Sequence, residues 1–330
     1  MRKIQAMLSN GLWIVSFFMI FSSSAGAHED GLRGPAFSDP KKIHEMPTEW
    51  QKRPVQHDSS VGKVDLSIDI NQQLYPFLEP LVQQYAHEKN IKINIRESTC
   101  GRSAGKLFRK ELDMGAFCCP TGDTDRLPGL RFHTLGIIPI ALLVHPDVAL
   151  NDISLAQARD VFQGNISRWS ELGGKNIRIK PIASLHCKKR PGHWRLLLKD
   201  EELFTSKFMD VGGMPDQIAL LSSTRGAIGY ETLNTANRFK HKGIVKFLTI
   251  EGFSPEDTSF LLSAKYPIYR VYNITTWEGE NLRNPYAEGL VNYLLQHVEN
   301  LADKYTVIPP SKLKQAGWKF DGNELIGEPM

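Results

Sequence analysis

Apart from its first residues, this sequence lacks long hydrophobic runs. Beyond residue 27 no segment approaches the roughly 18 consecutive apolar residues that a membrane-spanning helix needs. Residues 12–21 are apolar but too few to span a bilayer; they follow Arg2 and Lys3 and precede an Ala-Gly-Ala sequence at 25–27. This combination is typical of a cleavable signal peptide. We expect residues 1–27 to be removed near Ala27, leaving a soluble periplasmic or secreted protein.

The sequence also lacks a block of like charges. Its 40 Lys and Arg and 36 Asp and Glu residues are spread along the chain and give a net charge of only +4. Proteins that bind DNA or RNA usually concentrate positive charge in a patch or stripe. We therefore predict no nucleic-acid partner. The length that remains after cleavage suffices for two lobes, each with its own core.

Cysteine is scarce, with four residues in 330, at positions 100, 118, 119 and 187. None forms a C-x-x-C pair, which excludes the usual dithiol redox motif and c-type haem attachment. No cysteine closely follows the apolar run, so a lipid anchor would have no acceptor residue. An oxidising compartment favours disulfides, and four cysteines allow three pairings. Cys118 and Cys119 could bond to each other, or separately to Cys100 and Cys187.

The pattern of apolar residues divides the chain into an arm and a folded part. Residues 28–63 are rich in Pro, His and charged residues, which indicates an extended arm. Strand patterns follow at 64–70 and 91–96, and a helix pattern lies between them at 74–86. Small residues at 98–105 indicate a loop before a further helix that ends near residue 112; such a loop can place backbone N–H groups where anions bind. Alternating strands and helices predict an α/β fold.

Several segments resemble the phosphate-type periplasmic binding proteins of ABC importers. They are residues 113–120 (DMGAFCCP), 135–146, 153–174, 226–230 (GAIGY) and 266–272 (YPIYRVY), of which 153–174 is the most specific. The resemblance runs in order from about residue 64 to 310. It implies a two-lobed type II periplasmic-binding-protein fold of the α/β class, with two mixed sheets flanked by helices and joined by two hinge crossings.

The resemblance also implies how the chain is divided and used. Lobe one would comprise residues 64–138 plus 267–330, and lobe two residues 139–266, with a small-molecule or ion ligand held between them. The protein would not be an enzyme. Its partner would be an ABC permease or a membrane sensor, and a monomer is the default of the family.

The segments that contact the ligand in this family differ here. Relatives have a Gly-Ser-Thr turn where this chain reads SIDIN at 67–71, and they place Ser, Asp or Arg where Cys118 and Cys119 stand. Cys187 falls where relatives have an Arg, if His193 takes the place of their Thr. The resemblance thus implies the following ligand-binding residues: Cys100, Gly101, Arg102, Ser103, Cys118, Cys119, Cys187 and His193.

Sulfur atoms here replace the groups that would donate hydrogen bonds to an oxyanion. This replacement indicates a soft ligand, one that prefers to bind sulfur. Phosphate sites use Arg and backbone N–H groups, whereas thiolates suit copper, zinc or a trivalent metalloid such as arsenite. We therefore predict a metal or metalloid site, with these ligands: Cys100, Cys118, Cys119, Cys187 and His186. One alternative is capture of phosphate or another oxyanion, with the cysteines in disulfides. A second is a thiol redox protein, which would need a base and a lowered thiol pKa.

Overall fold

A mixed β-sheet runs through the computed structural model, which describes residues 37–184, 197–198 and 201–330. The predicted signal peptide lies outside the described residues. The strands are β1 Leu66–Asn71, β2 Ile93–Ser98, β3 Met114–Phe117, β4 Leu130–Val144, β5 Asp152–Ile153, β6 Lys180–Ala183, β7 Met209–Asp210, β8 Ala227–Thr232, β9 Lys246–Ile250, β10 Tyr269–Trp277, β11 Lys319–Asp321 and β12 Glu324–Gly327. The helices are α1 Thr48–Lys52, α2 Tyr75–Lys89, α3 Cys100–Phe108, α4 Leu155–Gln163, α5 Met214–Ser223, α6 Leu233–Arg238, α7 Thr258–Leu262, α8 Pro285–Tyr305 and α9 Pro310–Gln315.

The strand order of the sheet is β2-β1-β3-β10-β4-β8-β6-β7. Strands β1, β2 and β3 are parallel, as crossover helices α2 and α3 require. The long strand β4 pairs with β10 over its first part, Leu130 to Pro139, and with β8 over its last part, Ile140 to Val144. The two predicted sheets are therefore continuous through β4. We call the part around β1–β3 lobe one and the part around β5–β9 lobe two.

Each lobe has an apolar core on its share of the sheet. In lobe one, Ile68 and Ile70 of β1 are fully buried together with Leu78 of α2. In lobe two, Leu142 of β4 belongs to a cluster with the fully buried Phe162 of α4. Burying an aliphatic or aromatic side chain of this size stabilises the fold by about 1.5–3 kcal/mol. The two cores meet along β4 and β10, the strands that connect the lobes.

The structure confirms the predicted fold class: two α/β lobes joined by crossing strands. The predicted lobe boundaries stay a prediction. The C-terminal segment contacts both the crossing strands and lobe two, since Leu325 N donates to Thr134 Oγ1 (2.8 Å) and Trp318 Nε1 to the Leu262 carbonyl (2.7 Å). Among the helices of the described ranges, none combines the length and apolar character needed to span a bilayer.

The segment with the most specific resemblance forms a capped helix of lobe two. Helix α4 begins after Ser154, whose hydroxyl accepts from Gln157 N while the Gln157 side chain accepts from Ser154 N. This reciprocal pair is a capping box, which satisfies two N–H groups that the helix leaves unpaired. Trp169, which follows this helix, is buried and donates from Nε1 to the Gly226 carbonyl (3.0 Å).

The N-terminal arm is held against lobe one by a buried lysine. The described part of the arm is irregular except for α1 and a 3₁₀ turn at Ser59–Val61. Trp50 of α1 is buried and donates from Nε1 to the Phe108 carbonyl (2.6 Å). Lys110 Nζ donates to three carbonyls at the end of α1, those of Trp50 (2.8 Å), Gln51 (3.0 Å) and Arg53 (2.6 Å). A cation here interacts favourably with the helix dipole.

The prediction of a loop at 98–105 is wrong. Helix α3 begins at Cys100, directly after Thr99, whose hydroxyl accepts from Arg102 N (3.4 Å) as an N-cap. The small residues of the segment disfavour a helix in isolation. Burial of Lys106 and Leu107 on the inner face of α3 outweighs that propensity.

Candidate functional site

Three of the four cysteines meet at one edge of the sheet in lobe one. Cys100 begins α3 just after β2, and Cys118 and Cys119 directly follow β3. The Sγ atom of Cys118 lies 3.6 Å from that of Cys100 and 3.8 Å from that of Cys119. All three sulfur atoms lie within 4.8 Å of one another, and the three side chains are at most 2% exposed.

The topology explains why these residues converge. Strands β1, β2 and β3 are parallel neighbours, so their carboxyl ends lie at the same edge of the sheet. In open α/β sheets this edge is where ligands bind. Asn71 ends β1 and donates from Nδ2 to Cys100 Sγ (3.2 Å). The sulfur cluster therefore occupies the position where an α/β sheet ordinarily holds a ligand.

A buried arginine on the crossing strand β10 contacts the sulfur cluster. Arg270 is completely buried and donates from one guanidinium nitrogen to Cys118 Sγ (3.3 Å). Its other terminal nitrogen donates to Glu231 Oε1 (2.7 Å) at the end of β8. Burial, the largest single influence, opposes the charge, but Glu231 and the smaller contributions of neighbouring groups together outweigh it, and the pKa of Arg270 is raised above its ordinary value. Arg270 thus links lobe one, lobe two and a thiol.

The Cys118 thiol is neutral at physiological pH. Its hydrogen bond with Cys100 raises its pKa most, burial adds to the effect, and the pKa of Cys118 reaches about 11, although Cys119 and Arg270 act in the opposite direction. A reactive cysteine needs the opposite environment, one that lowers the pKa and exposes the thiolate.

Gln73 connects the two lobes beside this cluster. Its Nε2 donates to Glu231 Oε1 (3.1 Å) and contacts Met214 Sδ (3.0 Å). Its Oε1 accepts from the hydroxyls of Thr232 (3.2 Å) and Thr235 (2.8 Å). Gln73 belongs to lobe one, whereas all four partners belong to lobe two. These contacts hold the lobes together over the sulfur cluster.

Arg270 Nε and Ser98 Oγ are buried donors without a hydrogen-bond partner among the described residues, and Ser98 is the register partner of Asn71 across β1 and β2. Buried polar groups almost always have a hydrogen-bond partner. Unsatisfied donors where two lobes meet are therefore candidates for contacts with a ligand.

The predicted site residues have different placements. Cys100, Cys118 and Cys119 come together, whereas Gly101 and Arg102 are exposed on the first turn of α3. The Ser103 hydroxyl is used inside the helix, where it donates to the Thr99 carbonyl (3.1 Å). The remaining predicted ligands lie outside the described residues: His186, Cys187 and His193.

The thiols in the described part of the chain are not bonded to one another. The closest separations from Cys118, 3.6 and 3.8 Å, are those of sulfur atoms in contact, since a disulfide bond measures about 2.05 Å. Neither the vicinal bond between Cys118 and Cys119 nor a bond from Cys118 to Cys100 is present. Any pairing with Cys187 involves a residue outside the described ranges.

The sequence predictions missed the polar residues around the sulfur cluster. Arg270 stands in YPIYRVY and Glu231 directly follows GAIGY, so each is a lone charge in an otherwise apolar strand. A charged residue in a buried strand needs a partner. The lone charge in each strand therefore indicates a residue with a special contact. Their pairing with each other could not be read from residues that lie 39 positions apart.

Comparison with known proteins places the chain in a family. A family model described as the PBP superfamily domain matches residues 55–297, well over half of the chain. The phosphate-binding protein PstS of Bacillus subtilis is 28% identical over 169 residues, which cover 51% of this chain and 52% of that protein. Phosphate-binding protein PstS 2 of Streptococcus agalactiae is 25% identical over 99 residues, 29% of this chain and 33% of that protein. The chain thus matches about half of the length of the first relative and about a third of the length of the second.

Solved structures agree on the fold. An ABC-type phosphate transport receptor from Vibrio cholerae has a TM-score of 0.64 at 14% identity, with 74% of this chain and all of that chain covered. PstS from Borrelia burgdorferi has a TM-score of 0.53 at 17% identity, with 74% of this chain and 98% of that chain covered. Residues 55–297, which the family model matches, contain the sulfur cluster, Gln73 and both crossing strands. The chain belongs to the PBP superfamily.

Proposed function

We propose that this protein is an extracytoplasmic solute-binding protein that captures a small oxyanion or oxyacid between its lobes. The family and the phosphate-binding relatives named above support this role, which is one of binding and not of catalysis. The observation that carries the proposal is that two buried donors lack a partner among the described residues: Arg270 Nε, beside the contact of the lobes, and Ser98 Oγ, at the end of β2. The captured ligand would be passed to an ABC permease or presented to a membrane sensor.

The test is binding by the mature, reduced protein. Phosphate, arsenate, sulfate and arsenite would each be titrated while thermal unfolding and small-angle X-ray scattering are recorded. A bound ligand stabilises the folded form by about 2.7 kcal/mol at a hundred times its Kd, and closure of the lobes lowers the radius of gyration. Arg131→Ala, at an exposed ion pair with Glu278, serves as a control that keeps ligand binding. If none of these ligands stabilises the protein, the proposal is wrong.

A second candidate ligand is a soft metal ion, copper or zinc. The observation that favours it is the set of three buried thiols within 4.8 Å of one another. Cys187 and His186 would complete the predicted ligand set. Native mass spectrometry of the reduced protein, after incubation with Zn(II) or Cu(I), would detect a retained ion.

The thiol redox alternative receives less support. Cys118 is buried, and its raised pKa, about 11, keeps the nucleophilic thiolate form rare. Titration of thiols in the folded protein would measure this directly. A Cys118 that reacts rapidly at pH 7 would revive the redox interpretation.

A further inference from the structure

Resting on the proposed capture of an oxyacid, we propose that Cys100, Cys118 and Cys119 bind a trivalent pnictogen hydroxide, such as arsenous or antimonous acid, as a neutral tris-thiolate complex. The ligand would be an oxyacid in solution and a sulfur complex in the protein. Plain phosphate would then not be the cargo of this site.

The spacing of the sulfur atoms suits a single central atom. Around a tetrahedral centre with bonds of about 2.3 Å, sulfur atoms are about 3.8 Å apart. The distances from Cys118 to its two neighbours are 3.6 and 3.8 Å. All three sulfurs lie within 4.8 Å of one another, so small side-chain rotations bring them onto one atom.

Charge selects a trivalent centre over the metal ions. Three thiolates leave a net charge of −2 on a Cu(I) complex, −1 on a Zn(II) complex and zero on a trivalent one. The Arg270 guanidinium beside Cys118 cannot offset a negative complex, because Glu231 at 2.7 Å already balances it. Lys106, the buried cation of α3, is likewise bonded to Asp69, at 2.9 Å. Burying a net charge without compensation is costly, so the neutral complex is favoured.

The proton balance points the same way. The hydroxide M(OH)₃ reacts with three neutral thiols to give M(SR)₃ and three waters: three M–O and three S–H bonds break, and three M–S and three O–H bonds form. No electron is transferred and no proton is released. Zn(II) would instead have to displace the thiol protons, because metal ions bind the deprotonated form of cysteine, and those protons would have to leave a buried site.

The hydrogen bonds around the sulfur cluster are compatible with both the ligand-free thiols and the tris-thiolate complex. Asn71 Nδ2 donates to Cys100 Sγ and Arg270 donates to Cys118 Sγ. A metal-bound or metalloid-bound sulfur still accepts hydrogen bonds, so these donors need not move on binding. Such contacts orient ligands before the central atom arrives.

The experiment compares sodium arsenite with Zn(II), Cu(I) and phosphate on the mature, reduced protein. Native mass spectrometry should show one arsenic atom gained and three hydrogens lost, and X-ray absorption should show three As–S and no As–O bonds. The arsenite affinity should change less than about threefold between pH 6 and 8. Zn(II) affinity should rise steeply over that range, by up to about a thousandfold per pH unit if three protons are released.

Variants locate the site. Replacing any one cysteine of the cluster should weaken arsenite binding by about 100-fold or more, because only two of the three As–S bonds can then form. The variants are Cys100→Ser, Cys118→Ser and Cys119→Ser. Met209→Leu is the matched control: it removes the sulfur of an exposed methionine on β7, and arsenite affinity should stay within about twofold. If a Cys variant does not fold, the X-ray absorption spectrum of the unchanged protein decides the coordination.

The outcomes separate this inference from the proposed function. If phosphate stabilises the protein and arsenite does not, capture stands and the tris-thiolate site is overturned. Zn(II) or Cu(I) binding more tightly than arsenite at pH 7 also overturns it. If arsenite binds through three sulfurs but small-angle scattering detects no closure of the lobes, the tris-thiolate site is confirmed. The proposed capture of a ligand by closure of the lobes is then wrong. Absence of any binding overturns both.

Discussion

At the residue scale, the site is governed by charges that are buried and balanced. Arg270 and Glu231 are at most 1% exposed and bond to each other at 2.7 Å. Such a pair adds little net stability when complete, but loss of one partner leaves an uncompensated charge in the interior. Arg270 is therefore held in position beside Cys118 by a partner from the other lobe.

We expect Glu231→Gln to lower the free energy of unfolding by about 3–5 kcal/mol, because Arg270 would keep its charge without a counter-ion. Urea unfolding followed by circular dichroism measures this. The control is Glu278→Gln, whose partner Arg131 is exposed and where the expected loss is below about 1 kcal/mol. Equal losses in both variants would contradict the role assigned to the buried pair.

At the element scale, the second half of the N-terminal arm is joined to lobe one by two sets of polar contacts. Lys110 binds the carbonyls that end α1, and His57 Nε2 bonds to Asp113 Oδ2 (2.6 Å) near the start of β3. Asp113 Oδ2 also accepts from Ser67 N (2.7 Å) in β1. The arm therefore covers the outer end of the same strands whose opposite ends carry the site.

The His57 contact should make docking of the arm depend on pH. The hydrogen bond to Asp113 raises the pKa of His57 above its ordinary 6.5, although partial burial opposes the shift. A raised folded-state pKa means that the added stability is complete below about pH 6.5 and disappears as the pH rises through the folded value. The difference in unfolding free energy between the unchanged protein and His57→Gln should therefore shrink from pH 6 to pH 8.

The size of this effect is expected to be under about 1 kcal/mol, because His57 is partly exposed to solvent. An NMR titration of the His57 ring would check the direction independently. A measured pKa below 6.5 would contradict the contact with Asp113.

At the scale of the whole molecule, Gln73 contributes direct hydrogen bonds between the two lobes. It bonds to Glu231, Thr232 and Thr235 of lobe two. Each neutral hydrogen bond contributes about 0.5–1.5 kcal/mol. A difference of that size moves a two-state equilibrium several-fold.

Gln73→Ala should therefore shift the ligand-free protein toward an open form and weaken ligand binding. Small-angle scattering should record a larger radius of gyration, and saturating ligand should restore the compact value. Gln51→Ala is the matched control, since Gln51 is exposed and donates only to the nearby Met46 carbonyl (2.8 Å). An unchanged radius of gyration in Gln73→Ala would show that other contacts hold the lobes.

The sequence predicted the first two strands of lobe one and the helix between them well, but it was wrong about the small-residue segment that follows. The patterns at 64–70, 74–86 and 91–96 correspond to β1, α2 and β2, because their periodicity reflects burial on one face. Residues 98–105 were misjudged, since local propensity omits the burial of Lys106 and Leu107 and the Thr99 cap. In the site, Cys100, Cys118 and Cys119 were identified, whereas Arg270, Glu231 and Gln73 were not.

What the sequence determined by itself is the order of the first elements, the family and the presence of cysteines at positions 100, 118 and 119. These follow from residue type and periodicity, which act locally. Only the tertiary structure decided that Arg270 reaches both Cys118 and Glu231, and that Gln73 holds the lobes together. Those contacts depend on β4 and β10 crossing between the lobes, and partners 39 to 158 residues apart leave no local pattern.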